Sequence, residues 1–338
     1  MPGRLVDRSP VLAPEQLVAE LVPPPTFDDV RFATFRPDPA EPSQAAAVTA
    51  GEQFAGRIAR GGVSRRGLFG RRAPRRGGGL YFDGGFGVGK THLLAALWHA
   101  VEGPKSYGTF VELTNLVGVL GYRAAVGQLS THRLLCIDEF ELDDPGDTTV
   151  MSGLLGELTG AGVSVAATSN TLPDKLGEGR FAAADFLREI QALAARFEVH
   201  RIDGPDFRHR DSPPAPDPLG DDELAAHAAA VPGSTLDDFT ALCAHLSTLH
   251  PSRYGALVRG VPAVHLRDVR PADDQSTALR LVVFADRLYD CGVPVVVSGP
   301  PVDALFSAEM LAGGYRKKYL RATSRLVALS RLQRAQTA

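Results

Sequence analysis

The chain has 338 residues, 44% hydrophobic and 22% charged, enough to bury a large core and to build two modules. Its formal net charge of −3 excludes a general electrostatic pull toward nucleic acid or membrane. No apolar run approaches the roughly 18 residues of a membrane span, and Cys136, Cys243 and Cys291 lack metal or disulfide spacing. We therefore expect a soluble, cytoplasmic protein whose cysteines are small buried apolar residues.

Residues 1 to about 40 are punctuated by proline and read as an extended arm, with Pro23-Pro24-Pro25 excluding a helix there. Ser43 is placed to cap a helix from Ala45 to Ile58. A Gly/Arg-rich stretch follows, Gly61 to Gly79, with Arg65, Arg66, Arg71, Arg72, Arg75 and Arg76. On composition it is a solvated loop, with contact to an acidic partner or nucleic acid as the alternative. We take 1–78 as arm and loop. Between Leu80 and Asp203, apolar runs alternate with helical patterns. The runs are Leu80–Phe82, Thr109–Leu113, Leu134–Ile137, Val163–Thr168 and Val199–Ile202. That alternation predicts a parallel sheet with helices on both faces, a core over 79–210. A Pro/Asp-rich linker leads to a mixed module over 222–338. Its helical patterns lie around Asp238–Leu249, Ala278–Tyr289 and Arg316–Leu332, with a strand at Val293–Val297.

The most informative stretch is Gly84-Gly85-Phe86-Gly87-Val88-Gly89-Lys90-Thr91, which fits G-x-x-x-x-G-K-[ST] between an apolar run and a helical pattern. The glycines let backbone N–H groups wrap a phosphate as an anion nest. Lys90 supplies a compact positive charge for the β- and γ-phosphates, and Thr91 a hydroxyl for Mg²⁺. The helix opening near Thr91 aims its positive end at the same anion. Lysine is scarce here, 5 against 31 arginines, so a lysine at this place is not a default choice.

Leu134-Leu135-Cys136-Ile137-Asp138-Glu139-Phe140 is a predicted strand ending in two carboxylates, 48 residues after Lys90. Asp138 is placed to hold Mg²⁺, and Glu139, alternating in direction from it, to act as general base on the attacking water. Asn170 ends the next predicted strand and is suited to orient that water and sense the γ-phosphate; as a strand-to-turn residue it also has a purely structural reading. Arg180 is our candidate for an arginine finger acting on a neighbouring subunit, with Arg196 in reserve and Arg188 and Arg201 nearby. Arg325, in the basic C-terminal helix, is a candidate to reach back to the nucleotide, against an exposed helix face as the plain reading.

The order of these motifs resembles the AAA+ ATPases, and more narrowly the cell division protein ZapE family with its mitochondrial relatives. The resemblance rests also on Arg31-Phe32-Ala33-Thr34-Phe35, Pro42-Ser43-Gln44, Ala167-Thr168-Ser169-Asn170 and Phe186-Leu187-Arg188-Glu189-Ile190. It continues in Asp206-Phe207-Arg208, Asp286-Arg287-Leu288-Tyr289-Asp290 and Ser324-Arg325-Leu326. Phe110-Val111-Glu112-Leu113-Thr114-Asn115 stands where that family often has a Phe-Met-x-x-Val-His run. The resemblance implies an α/β P-loop (AAA+) core with a mixed, lid-like C-terminal module. It implies ATP and Mg²⁺ as ligands, ATP hydrolysis and a protein partner of the division machinery, while an arginine finger acting on a neighbour implies a homo-oligomer, a ring or at least a dimer. The alternative is an ATPase like the DNA-replication initiators and helicase loaders, in which the arginine loop and basic helix meet DNA. A nucleotide-gated scaffold with little turnover is the third reading.

Overall fold

A computed structural model of the chain describes residues 2–10, 14–61, 77–85, 87–140, 145–173, 176, 191–192, 194–205 and 214–337. Two compact units are present: Ala13–Pro23 with Phe27–Arg210, and Met1–Leu12 with Pro24–Thr26 and Asp211–Ala338.

The first unit is built on five parallel strands: β1 (Gly79–Gly84), β2 (Lys105–Thr109), β3 (Leu134–Asp138), β4 (Ser164–Ser169) and β5 (Glu198–Ile202). Their order is β2-β3-β4-β1-β5. The inner strands β1, β3 and β4 are largely apolar because both their faces are covered, whereas the edge strands β2 and β5 are mostly polar. Leu80, Phe82, Leu134, Cys136 and Ala166 pack on one face with Phe54 of helix α2 (Pro42–Gly61) and Leu94 of helix α3 (Lys90–Ala100). Tyr81, Leu135, Ile137, Val165 and Ala167 pack on the other, against α4 (Phe110–Leu120) and α6 (Pro145–Gly160). Helix α5 (Tyr122–Leu129) and a short helix α1 (Pro14–Ala19) complete the unit, so the expected extended arm carries a helical turn.

Two local expectations are corrected. The run Thr109–Leu113 is not a strand: β2 ends at Thr109 and α4 begins at Phe110. Thr109 Oγ1 accepts the Glu112 N–H, and the Glu112 carboxylate accepts the Thr109 N–H at 2.7 Å. This capping box starts a helix on the residues whose apolar character suggested a strand. Ser43 does not cap α2, which opens one residue earlier at Pro42, a residue suited to a first helical turn. The Ser43 hydroxyl instead accepts the N–H of Asp203 at 2.9 Å.

The second unit contains a three-stranded parallel sheet, β6 (Thr235–Asp238), β7 (Val264–Arg267) and β8 (Val295–Val297), in that order. Its helices are α7 (Asp221–Ala230), α8 (Phe239–Thr248), α9 (Tyr254–Val258), α10 (Gln275–Asp290), α11 (Ala308–Ala312) and α12 (Arg316–Thr337). Gly3 bridges to Thr235 on one edge, and Leu219 to Ser298 on the other. Leu5 is fully buried among Phe239, Leu242 and Leu246, and its N–H donates to the buried Asp237 carboxylate at 2.9 Å. Cys136 is buried as expected, whereas Cys243 is partly buried and Cys291 is exposed. Among the described residues no helix is long and apolar enough to cross a membrane.

Candidate active site

Strand order assembles the site. β4 lies between β1 and β3, so the chain leaving β4 falls between the loop after β1 and the carboxylates after β3. All three ends open on the carboxyl edge of the sheet, where parallel α/β sheets bind ligands.

The loop after β1 turns through Gly87 and Gly89 at φ 72° and 92°, conformations that a side chain strains. Gly89 is the N-cap of α3, so the helix presents its unsatisfied N–H groups to the loop. A Cβ on Gly89 would stand 2.4 Å from the Phe35 ring, which therefore packs directly on the loop. Val88 is buried, and Phe86 lies outside the described residues. Lys90 Nζ donates to Gly84 O at 2.9 Å, to Gly85 O, and to Asn170 Oδ1 at 2.8 Å. Lysine and asparagine, 80 residues apart, thus meet at one point.

Asp138 is 8% exposed and held from three sides. Thr91 Oγ1 on α3 donates to its Oδ1 at 3.3 Å. Thr168 on β4 donates to the same oxygen, and Tyr107 on β2 donates to Oδ2 at 3.0 Å. The Thr91 hydroxyl and Asp138 carboxylate form a pair of hard oxygen donors beside a phosphate-type loop, a donor set that fits Mg²⁺. Glu139 does not continue the strand alternation: its φ is 53°, and its N–H points back to Thr168 Oγ1 at 3.1 Å and Asp138 Oδ1 at 3.2 Å. A left-handed glutamate is uncommon, and such strain concentrates at functional sites.

The arginines are placed differently. Arg180 and Arg188 lie outside the described residues, as does the Arg65–Arg76 stretch. Arg196 precedes β5, at the opposite edge of the sheet from Lys90, and donates to Thr159 Oγ1 at 3.2 Å. Arg201 lies 3.4 Å from Asp83 and 2.8 Å from Asp203. Burial pushes the Asp83 carboxyl up, and Arg201 works against that shift. In the second unit Arg325 pairs with Asp286 and lies over the Tyr289 ring, 5.2 Å from its centre.

Tyr107 escapes a motif reading, and Thr168 is noticed only as part of the Ala167–Asn170 run, with no role of its own. Thr168 sits two residues before Asn170, but a threonine near a strand end carries no signal of its own. Tyr107 lies on a strand with no apolar run at all.

The model of the AFG1-like ATPase family matches residues 11–231 and 216–336. Cell division protein ZapE of Escherichia coli K12 is 28% identical, over 77% of this chain and 78% of that protein. Lactation elevated protein 1 homolog B of Danio rerio is 27% identical over 40% of this chain and 32% of its own length. Among solved structures, AMPPCP-bound DnaA from Aquifex aeolicus superposes with TM-score 0.40 at 10% identity, covering 92% of each chain.

Proposed function

The chain belongs to the AFG1-like ATPase family, and from that membership we propose that it hydrolyses ATP to ADP and phosphate with Mg²⁺ bound at Thr91 and Asp138. The observation that carries this reading is the convergence of Lys90, Thr91, Asp138 and Asn170 from three chain segments on one edge of the sheet. The N–H groups of the Gly84–Thr91 loop and the Lys90 ammonium bind the phosphates. Lys90 exchanges Asn170 Oδ1 and the loop carbonyls for phosphate oxygens, which releases the Asn170 amide to orient water. Glu139 accepts the proton of that water as general base. Thr91 and Asp138 would hold Mg²⁺, which when bound would offset charge developing on the phosphate oxygens. Arg180 of one subunit serves the site of its neighbour, so the active form is a homo-oligomer. In this reading 79–210 carry the chemistry and 222–338 act as a lid-like module. The likeness to a cell division protein supports remodelling of a protein partner in division as the work done.

The test is the Glu139→Gln variant. It should bind ATP as the wild type does and release phosphate slower by a factor on the order of a hundred or more. Wild-type turnover in that variant would remove Glu139 from the mechanism.

A further inference from the structure

We propose that Tyr107 and Thr168 are positioning residues for the divalent cation, fixing the plane of the Asp138 carboxylate from the two strands that flank it. This rests on the Mg²⁺-dependent ATPase reading above. β3 lies between β2 and β4. Tyr107 reaches Asp138 Oδ2 from β2 at 3.0 Å, and Thr168 reaches Oδ1 from β4. Register explains how both arrive. Thr109 is the partner of Asp138, and Tyr107, two residues earlier, projects from the same face of the sheet. Thr168 follows Ala167, the partner of Ile137, and so lies level with Asp138.

The polarity of the pair needs a reason. Tyr107 is 3% exposed and Thr168 1%, on the sheet face lined by Leu134, Cys136 and Ala166. Phenylalanine and valine would fill the same volumes without burying a hydroxyl. The hydroxyls grip both oxygens of one carboxylate, which removes its freedom to rotate about the bond to Cβ. A carboxylate held in one plane presents its remaining lone pairs to a cation in one direction, the usual service of groups behind a metal ligand. Thr168 does a second thing: by accepting the Glu139 N–H it ties the left-handed turn of the general base to the same carboxylate.

The experiment measures binding of a fluorescent ATP analogue while Mg²⁺ is titrated, and again in excess chelator. It compares wild type, Tyr107→Phe, Thr168→Val and Thr168→Ser, with a thermal melt of each. We expect Tyr107→Phe and Thr168→Val to raise the Mg²⁺ half-saturation point by about 10- to 100-fold. Binding without Mg²⁺ should stay within about two-fold of wild type, and Thr168→Ser should restore the Mg²⁺ response. An unchanged half-saturation point overturns the proposal. So does an equal loss of binding with and without Mg²⁺, or a melt lowered as much by Thr168→Ser as by Thr168→Val, because the hydroxyls would then serve packing alone. A wild type whose binding ignores Mg²⁺ would instead overturn the ATPase reading itself, and this proposal with it.

Discussion

Glu139 and Asp268 hold the same backbone conformation at the same step of two different sheets, with φ of 53° and 55°. Each is the first residue past a parallel strand, β3 or β7. Each donates its N–H to a hydroxyl at the end of the neighbouring strand, Thr168 within β4 at 3.1 Å or Ser298 just past β8 at 3.0 Å. The following N–H then bonds the carbonyl of that same residue, Phe140 to Thr168 at 2.7 Å and Val269 to Ser298 at 3.0 Å. The left-handed turn is thus a way of leaving a parallel strand without orphaning a donor. Chemistry is added by residue type: a carboxylate precedes the turn at Asp138, an arginine at Arg267.

That comparison separates strain from catalysis. A non-glycine residue in this region costs about 1 kcal/mol, and the entropy of a free glycine offsets much of the relief. Glu139→Gly and Asp268→Gly should therefore each unfold within about 1 kcal/mol of wild type in urea. Phosphate release should survive Asp268→Gly and disappear with Glu139→Gly. A turnover defect in Asp268→Gly would mean that the second sheet takes part in the reaction.

Gly89→Ala should fail twice over. Its φ of 92° strains any side chain, and the new methyl would meet the Phe35 ring at 2.4 Å. We expect a loss of about 1–2 kcal/mol of stability from the backbone alone, together with weaker nucleotide binding. Adding Phe35→Ala should recover the steric part and leave the backbone part, a difference that denaturation of the single and double variants resolves.

Asp286 anchors the last helix of the C-terminal unit. Its carboxylate lies 2.7 Å from Arg321 and also pairs with Arg325. Burial alone would raise its pKa, but the two guanidiniums outweigh that and hold the carboxyl below its usual range. Asp286→Asn removes the charge both arginines face while they stay 9% and 15% exposed. We expect a loss of about 3 kcal/mol, read as a lower urea midpoint.

Acid should weaken the same unit. His265 is fully buried, and its Nδ1–H donates to the carbonyl of Thr235 at 2.9 Å. Its Nε2 is then an acceptor, accepting the hydrogen bond of His227 Nδ1–H at 2.9 Å. Burial pushes the His265 pKa from 6.5 down to about 4, with the carbonyl working against the shift and His227 adding to it. The unfolded chain therefore takes up the proton first as pH falls. The stability contributed by neutral His265 is complete above about pH 6.5 and is lost between there and about pH 4, on the order of 3 kcal/mol in all. Denaturation across that range should show the slope, and His265→Gln should flatten it. Asp237, whose carboxyl burial pushes up, acts in the opposite sense and limits the total.

The chemistry of this chain was written locally. Gly84 to Thr91 and Leu134 to Phe140 are contiguous words whose spacing constrains backbone and charge within a few residues, so they could be read without neighbours. The apolar runs of β1, β3 and β4 were legible for the same reason, since a strand buried on both faces is apolar at most of its positions. Thr109 carried a readable signal too, but the apolar run after it pointed the other way, and only the reciprocal bond to Glu112 resolves the conflict.

What tertiary structure decided is everything that depends on which strands become neighbours. β6 and β7 are four residues each and partly polar, and they exist as strands because they pair with each other, with β8 and with Gly3. The meeting of Lys90 with Asn170, and of Tyr107 and Thr168 with Asp138, follows from the order β2-β3-β4-β1-β5. A hydroxyl near a strand end has no meaning along the chain. It acquires one when hydrogen bonding, which acts only over about 3 Å, finds a carboxylate on the adjoining strand.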